Sequence, residues 1–362
     1  MVQNRAGGPR NEVIPTPQSR LSEQVHPMRL GLDAYSLRWQ GWDASRLIAF
    51  AGEMRIAVLQ LLAWRHLPLD DESELRALEL LARDHGARIE ISAGCVDRFS
   101  SAYDPRRGSA EDWLPRAFRA ARIFRSPGIH VTLGGIAERS GSVPLDEHIA
   151  ECVRVARAVA PLARDLGVRL AFENYDDLLA PELRTLVERA GPDVAAVCLD
   201  TGNPVLAAEH PVGAAEILAP YVVTSHIRDT RVWSTPQGAM AQSVPMGQGS
   251  VDWRAILAIL HDHAPDATFG LEVITGRAPR ALDNLRGDSG FWGPYPARRT
   301  ADLAQFIAWA DRGDPVPFPQ VTGDGVVGYA LPTGPDASAL IEQQARHCRE
   351  SIRYCQETLA LT

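Results

Sequence analysis

The sequence predicts an α/β protein built as a (β/α)8 TIM barrel, with extended loops after strands 7 and 8 and extra C-terminal helices. Three observations carry that expectation. Eight short runs rich in Val, Ile and Leu recur along the chain, helical stretches alternate with them, and each of the last four runs ends near an acid or a histidine. Runs without strict polar alternation are what strands covered on both faces show. Strands alternating with helices make a parallel sheet, and eight is the number that closes a barrel. A doubly wound open sheet competes, but no GxGxxG follows the first run.

The chain opens with "MVQNRAGGPRNEVIPTPQSRLSEQVHP", which has none of the apolar character of a secretory signal. Residues 1–27 are expected to be a flexible polar tail, and 28–362 a single barrel domain. Strands are expected over 29–37 "RLGLDAYSL", 56–63 "IAVLQLLA", 87–94 "ARIEISAG" and 128–135 "GIHVTLGG". Four more follow over 168–174 "VRLAFEN", 194–200 "VAAVCLD", 221–229 "YVVTSHIRD" and 268–275 "TFGLEVIT". The helix over 145–167 places Ile149, Val153, Ala156 and Ala160 on one stripe and closes on Gly167, a good C-cap. Helices over 180–191 and 250–263 follow the same plan, the latter with Ser250 as its expected N-cap.

Two segments break the rhythm. Residues 230–249 read as a long loop after the seventh strand. Residues 276–299 read as a longer one after the eighth, carrying Phe291, Trp292 and Tyr295. Both would lie on the C-terminal face of a barrel, either as lids or as excursions packed on their own aromatics. Helices over 300–313 and 339–361 are expected to complete the outer ring.

Composition narrows the function classes. A net charge of −8 disfavours a nucleic-acid partner, which a basic face would serve. No run approaches the length of a membrane span. Cys95, Cys152, Cys198, Cys348 and Cys355 are odd in number and lack a CxxC pair, which reads as reduced thiols in a cytoplasmic protein.

Residues at the C-terminal ends of barrel strands face one site, whatever their separation in sequence. Here these are Glu173 in "LAFEN", Asp200 in "CLDTGN", His226 in "SHIRD" and Glu272 in "GLEV". Three carboxylates buried together without a cation would be very costly. A carboxylate-rich shell with one imidazole suits one divalent ion, Mn²⁺ first, with Mg²⁺, Co²⁺ or Zn²⁺ as alternatives. Taken singly, each acid could instead be paired with an arginine, and His226 could be a core histidine.

The segments "LAFEN", "CLDTGN", "SHIRDTRV", "VPMGQGSVDW" and "GLEV" together resemble the xylose isomerase-like TIM-barrel superfamily of sugar phosphate isomerases and epimerases. The resemblance covers most of residues 28–275. It implies that Glu173, Asp200, His226 and Glu272 ligate one divalent metal, and that Glu173 and Glu272 also act as an acid/base pair. One would remove a proton beside a carbonyl and the other return it, through an enediolate stabilised by the metal. The chain departs from the ketose 3-epimerase pattern. Asn203 stands where those enzymes have a histidine, and Leu179 stands at an acidic position, with Asp176 and Asp177 nearby. Endonuclease IV-type members need further histidines, for which only His66 and His130 are at hand.

Tyr35, Trp64 and His66 follow the first two strands and are expected to wall a carbohydrate-like substrate, with packing at the barrel rim as the alternative. Asn203 is included with them. Arg228 and Arg231 either bind an anionic group or balance Asp229 and the buried acids. The expected function is a metal-dependent isomerase or epimerase of a sugar, keto-sugar or polyol derivative. The alternative is a metal-dependent lyase on the same scaffold, a decarboxylase, a dehydratase or an enzyme cleaving a C-glycoside or keto-sugar bond, and a third option is a metal-stabilised binding subunit. A homo-oligomer or a small accessory subunit is left open.

Overall fold

The structure is a computed structural model that describes residues 28–283, 285, 293, 295, 300–316, 320–323 and 328–362. The expected tail over 1–27, and Phe291 and Trp292, lie outside the described residues. In chain order the strands are β1 (Arg29–Asp33), β2 (Val58–Leu62), β3 (Arg88–Cys95), β4 (Gly128–Thr132), β5 (Arg169–Glu173) and β6 (Ala195–Asp200). They continue as β7 (Val222–Ile227), β8 (Asp229–Thr235), β9 (Gly238–Val244), β10 (Thr268–Leu271) and β11 (Arg280–Asp283).

Eight of them close a parallel barrel in the order β1-β10-β7-β6-β5-β4-β3-β2. Side chains alternate across each strand, and the burial separates accordingly. Leu170 and Phe172 of β5 pack outward into the main core beneath the helices, whereas Ala171 joins Ala196, Cys198 and Val223 in a separate cluster of small side chains. The same alternation carries Glu173 inward, two residues beyond Ala171. Polar groups continue below it inside the barrel. Glu90 of β3 accepts hydrogen bonds from Thr224 Oγ1 at 2.8 Å and Thr268 Oγ1 at 2.7 Å, and is paired with Arg88 at 2.7 Å.

The helix Leu145–Leu166 ends at Gly167, whose φ of +63° is the left-handed cap expected of it. Ile149, Val153, Ala156 and Ala160 are all buried on its inner stripe. Other elements differ from expectation. The first strand stops at Asp33, because the Asp33 carboxylate accepts the Tyr35 N–H and starts a 3-10 turn over Ala34–Leu37. The helix expected from Ser250 begins at Trp253 instead, capped by Asp252, which accepts the Ala255 N–H at 3.0 Å. Ser250 is occupied elsewhere, donating from both its backbone N–H and its Oγ to Thr230 O.

The largest correction concerns residues 230–249, which form a hairpin. β8 and β9 pair antiparallel from Asp229↔Val244 to Thr235↔Gly238, and β11 adds a third strand. A Cβ at Gly238 would stand 2.1 Å from Leu282 O, so only glycine admits β11 at this distance. The inner face of this small sheet, Val232, Ala239, Ala241 and Leu282, needs a cover, and Phe306, Trp309 and Ala310 of the helix Thr300–Ala310 supply it. That helix therefore packs on the outer sheet and not in the barrel's ring. The helix Ala337–Glu357 does join the main core, through Cys348, Ile352 and Cys355.

Candidate metal centre

Glu173 ends β5, Asp200 ends β6, His226 is the penultimate residue of β7, and Glu272 directly follows β10. Asp200 and His226 are register partners, and so are His226 and Gly270, so the barrel sets the last four inward positions side by side. Glu173, Asp200, His226 and Glu272 each offer a ligand atom within 4.8 Å of the others.

The hydrogen bonding around them is one-sided. Asp200 Oδ1 accepts the N–H groups of Gly202 and Asn203, both at 2.7 Å, and two donors of Arg228 at 2.8 and 3.1 Å. Asp200 Oδ2 is buried and has no hydrogen-bond partner among the described residues. A buried carboxylate oxygen left bare costs free energy, and a cation shared with the other three side chains would satisfy it. Glu173 is held from both sides, by His130 Nε2 at 2.9 Å and by Asn203 Nδ2 at 2.9 Å. His226 turns Nδ1 toward Glu173 at 3.3 Å, while Nε2 lies 2.8 Å from Gln60 Oε1, a bond that puts the ring proton on Nε2. The donor set therefore fits a divalent ion, with Gln60 and His130 orienting two of its ligands.

Electrostatics follow the same lines. Burial raises the Asp200 carboxyl to about 7 despite Arg228 beside it, and raises Asp33 to about 6. Burial would raise Glu173 too, but His226 and His130 overturn this and hold it well below the usual carboxylate range. Burial would make His226 less basic, yet the neighbouring Cys198 and Glu173 keep it well above the usual imidazole value. His130, Cys198 and His226 form a second, overlapping group of ligand types. Burial pushes the Cys198 thiol up to about 12, and His130 is already bound to Ser92 and Glu173, so the carboxylate set is the better cation site.

Beside these residues lies a cavity of about 560 Å³, lined by Asp33, Tyr35, Glu173, His226, Arg228 and Glu272, and also by Tyr175, Tyr329 and the exposed Arg277. Of the expected substrate residues, Tyr35 and Arg228 line it. Asn203 lies beneath, bridging Arg228 and Glu173. His66 is occupied locally, its Nδ1 accepting the Leu62 N–H, and its ring stands 5.9 Å from Tyr329; burial lowers it to about 4, so it is neutral. Trp64 and Arg231 do not line the cavity. The Trp64 indole donates to Ala93 O and packs edge-on against Trp113. Arg231 leaves on β8, opposite Gln242. Asp229, left open by the sequence, is structural: its carboxylate accepts the N–H groups of Gly247 and Gly249 at 2.9 and 3.0 Å. Tyr295 packs with Leu179 and Ala207, outside the cavity lining.

Asp33, Gln60, Arg277 and Tyr329 escaped the sequence reading. Asp33 ends "RLGLD" and Gln60 interrupts "VLQLL", so a polar residue in an apolar run was the available signal. Tyr329 carries no such mark. It comes from beyond the barrel and stands 5.5 Å edge-to-face on Tyr35.

Residues 48–291 match the family model for the xylose isomerase-like TIM barrel. The Escherichia coli uncharacterized protein YihM is 29% identical over 136 residues, 36% of this chain and 42% of that protein, so the match spans under half of that relative's length. The 3-oxo-isoapionate decarboxylase of Pectobacterium atrosepticum is 23% identical over 209 residues, 56% of this chain and 69% of that enzyme. Among solved structures, a D-psicose 3-epimerase determined with D-fructose superposes with a TM-score of 0.56 at 17% identity, covering 92% of this chain and 99% of that one.

Proposed function

This chain belongs to the xylose isomerase-like TIM-barrel family, and within it we propose a metal-dependent isomerase or epimerase of a keto sugar or polyol derivative. The observation that carries this reading is the convergence of Glu173, Asp200, His226 and Glu272, with the bare Asp200 Oδ2 among them and the other three lining the cavity. A divalent ion bound there would supply Lewis-acid stabilisation of the negative charge that develops when a proton leaves the carbon beside a carbonyl. We assign that proton transfer to Glu272, the most open of the four with its side chain 12% exposed. Glu173 is assigned the opposite direction: held ionised by His226 and His130, it would take the proton of the other epimer and, once carrying it, return one. Its two oxygens are fixed by His130 and Asn203, which keeps it from turning away between steps. Arg228, within 2.8 Å of Asp200 and 3.5 Å of Glu272, holds these two carboxylates apart from each other and balances their charge.

A second reading has one specific support. A decarboxylase is the relative that aligns over 69% of its own length, which favours a lyase that cleaves a bond beside the same carbonyl. Solvent deuterium exchange separates the two. Metal-loaded protein incubated in D₂O with a panel of keto sugars and keto-sugar acids should place deuterium at carbon without loss of carbon or water. Release of CO₂ or water favours the lyase, and a panel with neither exchange nor release counts against both.

A further inference from the structure

The rim of the cavity carries positive charge that the site itself leaves unmatched. Arg277 is exposed and lines the cavity five residues after Glu272, and no hydrogen bond or ion pair engages it among the described residues. Its position is set by Gly276, whose φ is +86° and where a Cβ would stand 2.8 Å from the Trp39 ring. The turn thus needs glycine, and it sends Arg277 back over the mouth.

A second guanidinium lies close by. Arg38 is 4% exposed, stacked at 4.5 Å on Tyr35 and 4.1 Å on Trp39, and donates to Thr275 O at 2.9 Å. Its Nε has no partner and no carboxylate pairs with it among the described residues. Burial lowers its basicity, and Arg277 adds repulsion. A buried cation without a counter-ion is costly.

The acids around the mouth are already occupied. Asp176 accepts the Ile136 N–H and pairs with Arg280 at 3.4 Å. Glu138 accepts from Ser100, Ser101 and Gly135. Asp200 is taken by Arg228, and Glu173 and Glu272 face the proposed ion.

We propose that the substrate is a keto-sugar acid whose carboxylate is held by the Arg277 guanidinium at the cavity mouth, with Arg38 behind Tyr35 supplying further positive field. This rests on the metal-dependent reading above and names the substrate class for it. A guanidinium fork matches a carboxylate with two parallel N–H···O bonds. A phosphomonoester carries close to two charges and three acceptor oxygens, more than Arg277 alone can satisfy while Arg228 is engaged by Asp200 and Glu272.

The test is calorimetric titration of Mn²⁺-loaded protein with 2-keto-D-gluconate, D-fructose and D-fructose 6-phosphate, with metal content counted on the same samples. The acid should bind about tenfold or more tightly than D-fructose, in keeping with a charge-assisted pair. Arg277→Gln should erase that difference while keeping the wild-type metal content and the affinity for D-fructose. No preference for the acid in the wild type, a preference that survives Arg277→Gln, or tighter binding of the phosphate ester overturns the proposal. A protein that holds its ion but shows no acid preference sinks this inference alone. One that holds no ion counts against the metal-dependent reading itself.

Discussion

Glu272 is the most open of the four residues, while Glu173, Asp200 and His226 are buried at 3%, 0% and 1% exposure. A residue that must meet substrate and leave the fold undisturbed when changed is best sought at such a position. Glu272→Gln keeps the shape and removes the basic oxygen, so deuterium exchange into a substrate should fall by about 10²–10⁴-fold, the usual worth of a general base. The thermal midpoint should stay near that of the wild type. Exchange at the wild-type rate would remove Glu272 from the proton transfer. The four residues of the centre were legible because each is a polar group where an apolar run should continue. Asp33, Gln60 and His130 obey the same rule in the first half of the barrel. Their contacts with His226 and Glu173 are made across 166 residues in one case and 43 in another, which no local pattern reveals.

Secondary elements were most readable where periodicity and end signals agreed. The helix Leu145–Leu166 shows both, and its cap offers a clean measurement. Gly167 has φ +63° and nothing within 4 Å of an added Cβ, so the only effect of Gly167→Ala is backbone strain. It should destabilise the fold by about 1 kcal/mol, read as a lower urea midpoint with metal content unchanged. An unaltered midpoint would contradict the left-handed cap. The hairpin of β8 and β9 reads as a loop in the sequence because its strands are partly buried and its turn is only Pro236–Gln237. Its apolar face is covered by the helix Thr300–Ala310, some 60 residues later, so neither partner betrays the other in the sequence. Tyr329 reaches the cavity from a still more distant segment, and for the same reason its role was invisible.

At the scale of the whole molecule, the barrel closes because eight runs of similar length are covered on their outer face, and that rhythm was plain in the sequence. The inner face is where fold and function trade against each other. In the metal-free protein, the Asp200 carboxyl raised to about 7 and Asp33 raised to about 6 both bind protons more tightly than in the unfolded chain. Their contribution to stability is therefore full at low pH and lost as pH rises toward 7. His226, held well above the usual imidazole value, adds the same sign at higher pH. An ion would reverse the trend, because ligation needs an ionised Asp200 and a neutral His226 and so releases protons. Affinity should then weaken as pH falls, by up to about tenfold per pH unit for each proton released. The most direct test of the centre is a count of divalent ions per chain in the wild type and in Asp200→Asn, at pH 8 and at pH 5.5. In the variant, the Arg228 and amide donors can keep their oxygen while an NH₂ group replaces the bare Oδ2. About one ion per wild-type chain is expected at pH 8, with marked loss at pH 5.5 and almost none in folded Asp200→Asn at either pH. An ion retained in full by Asp200→Asn, or none in the wild type at pH 8, would contradict the assignment of this centre.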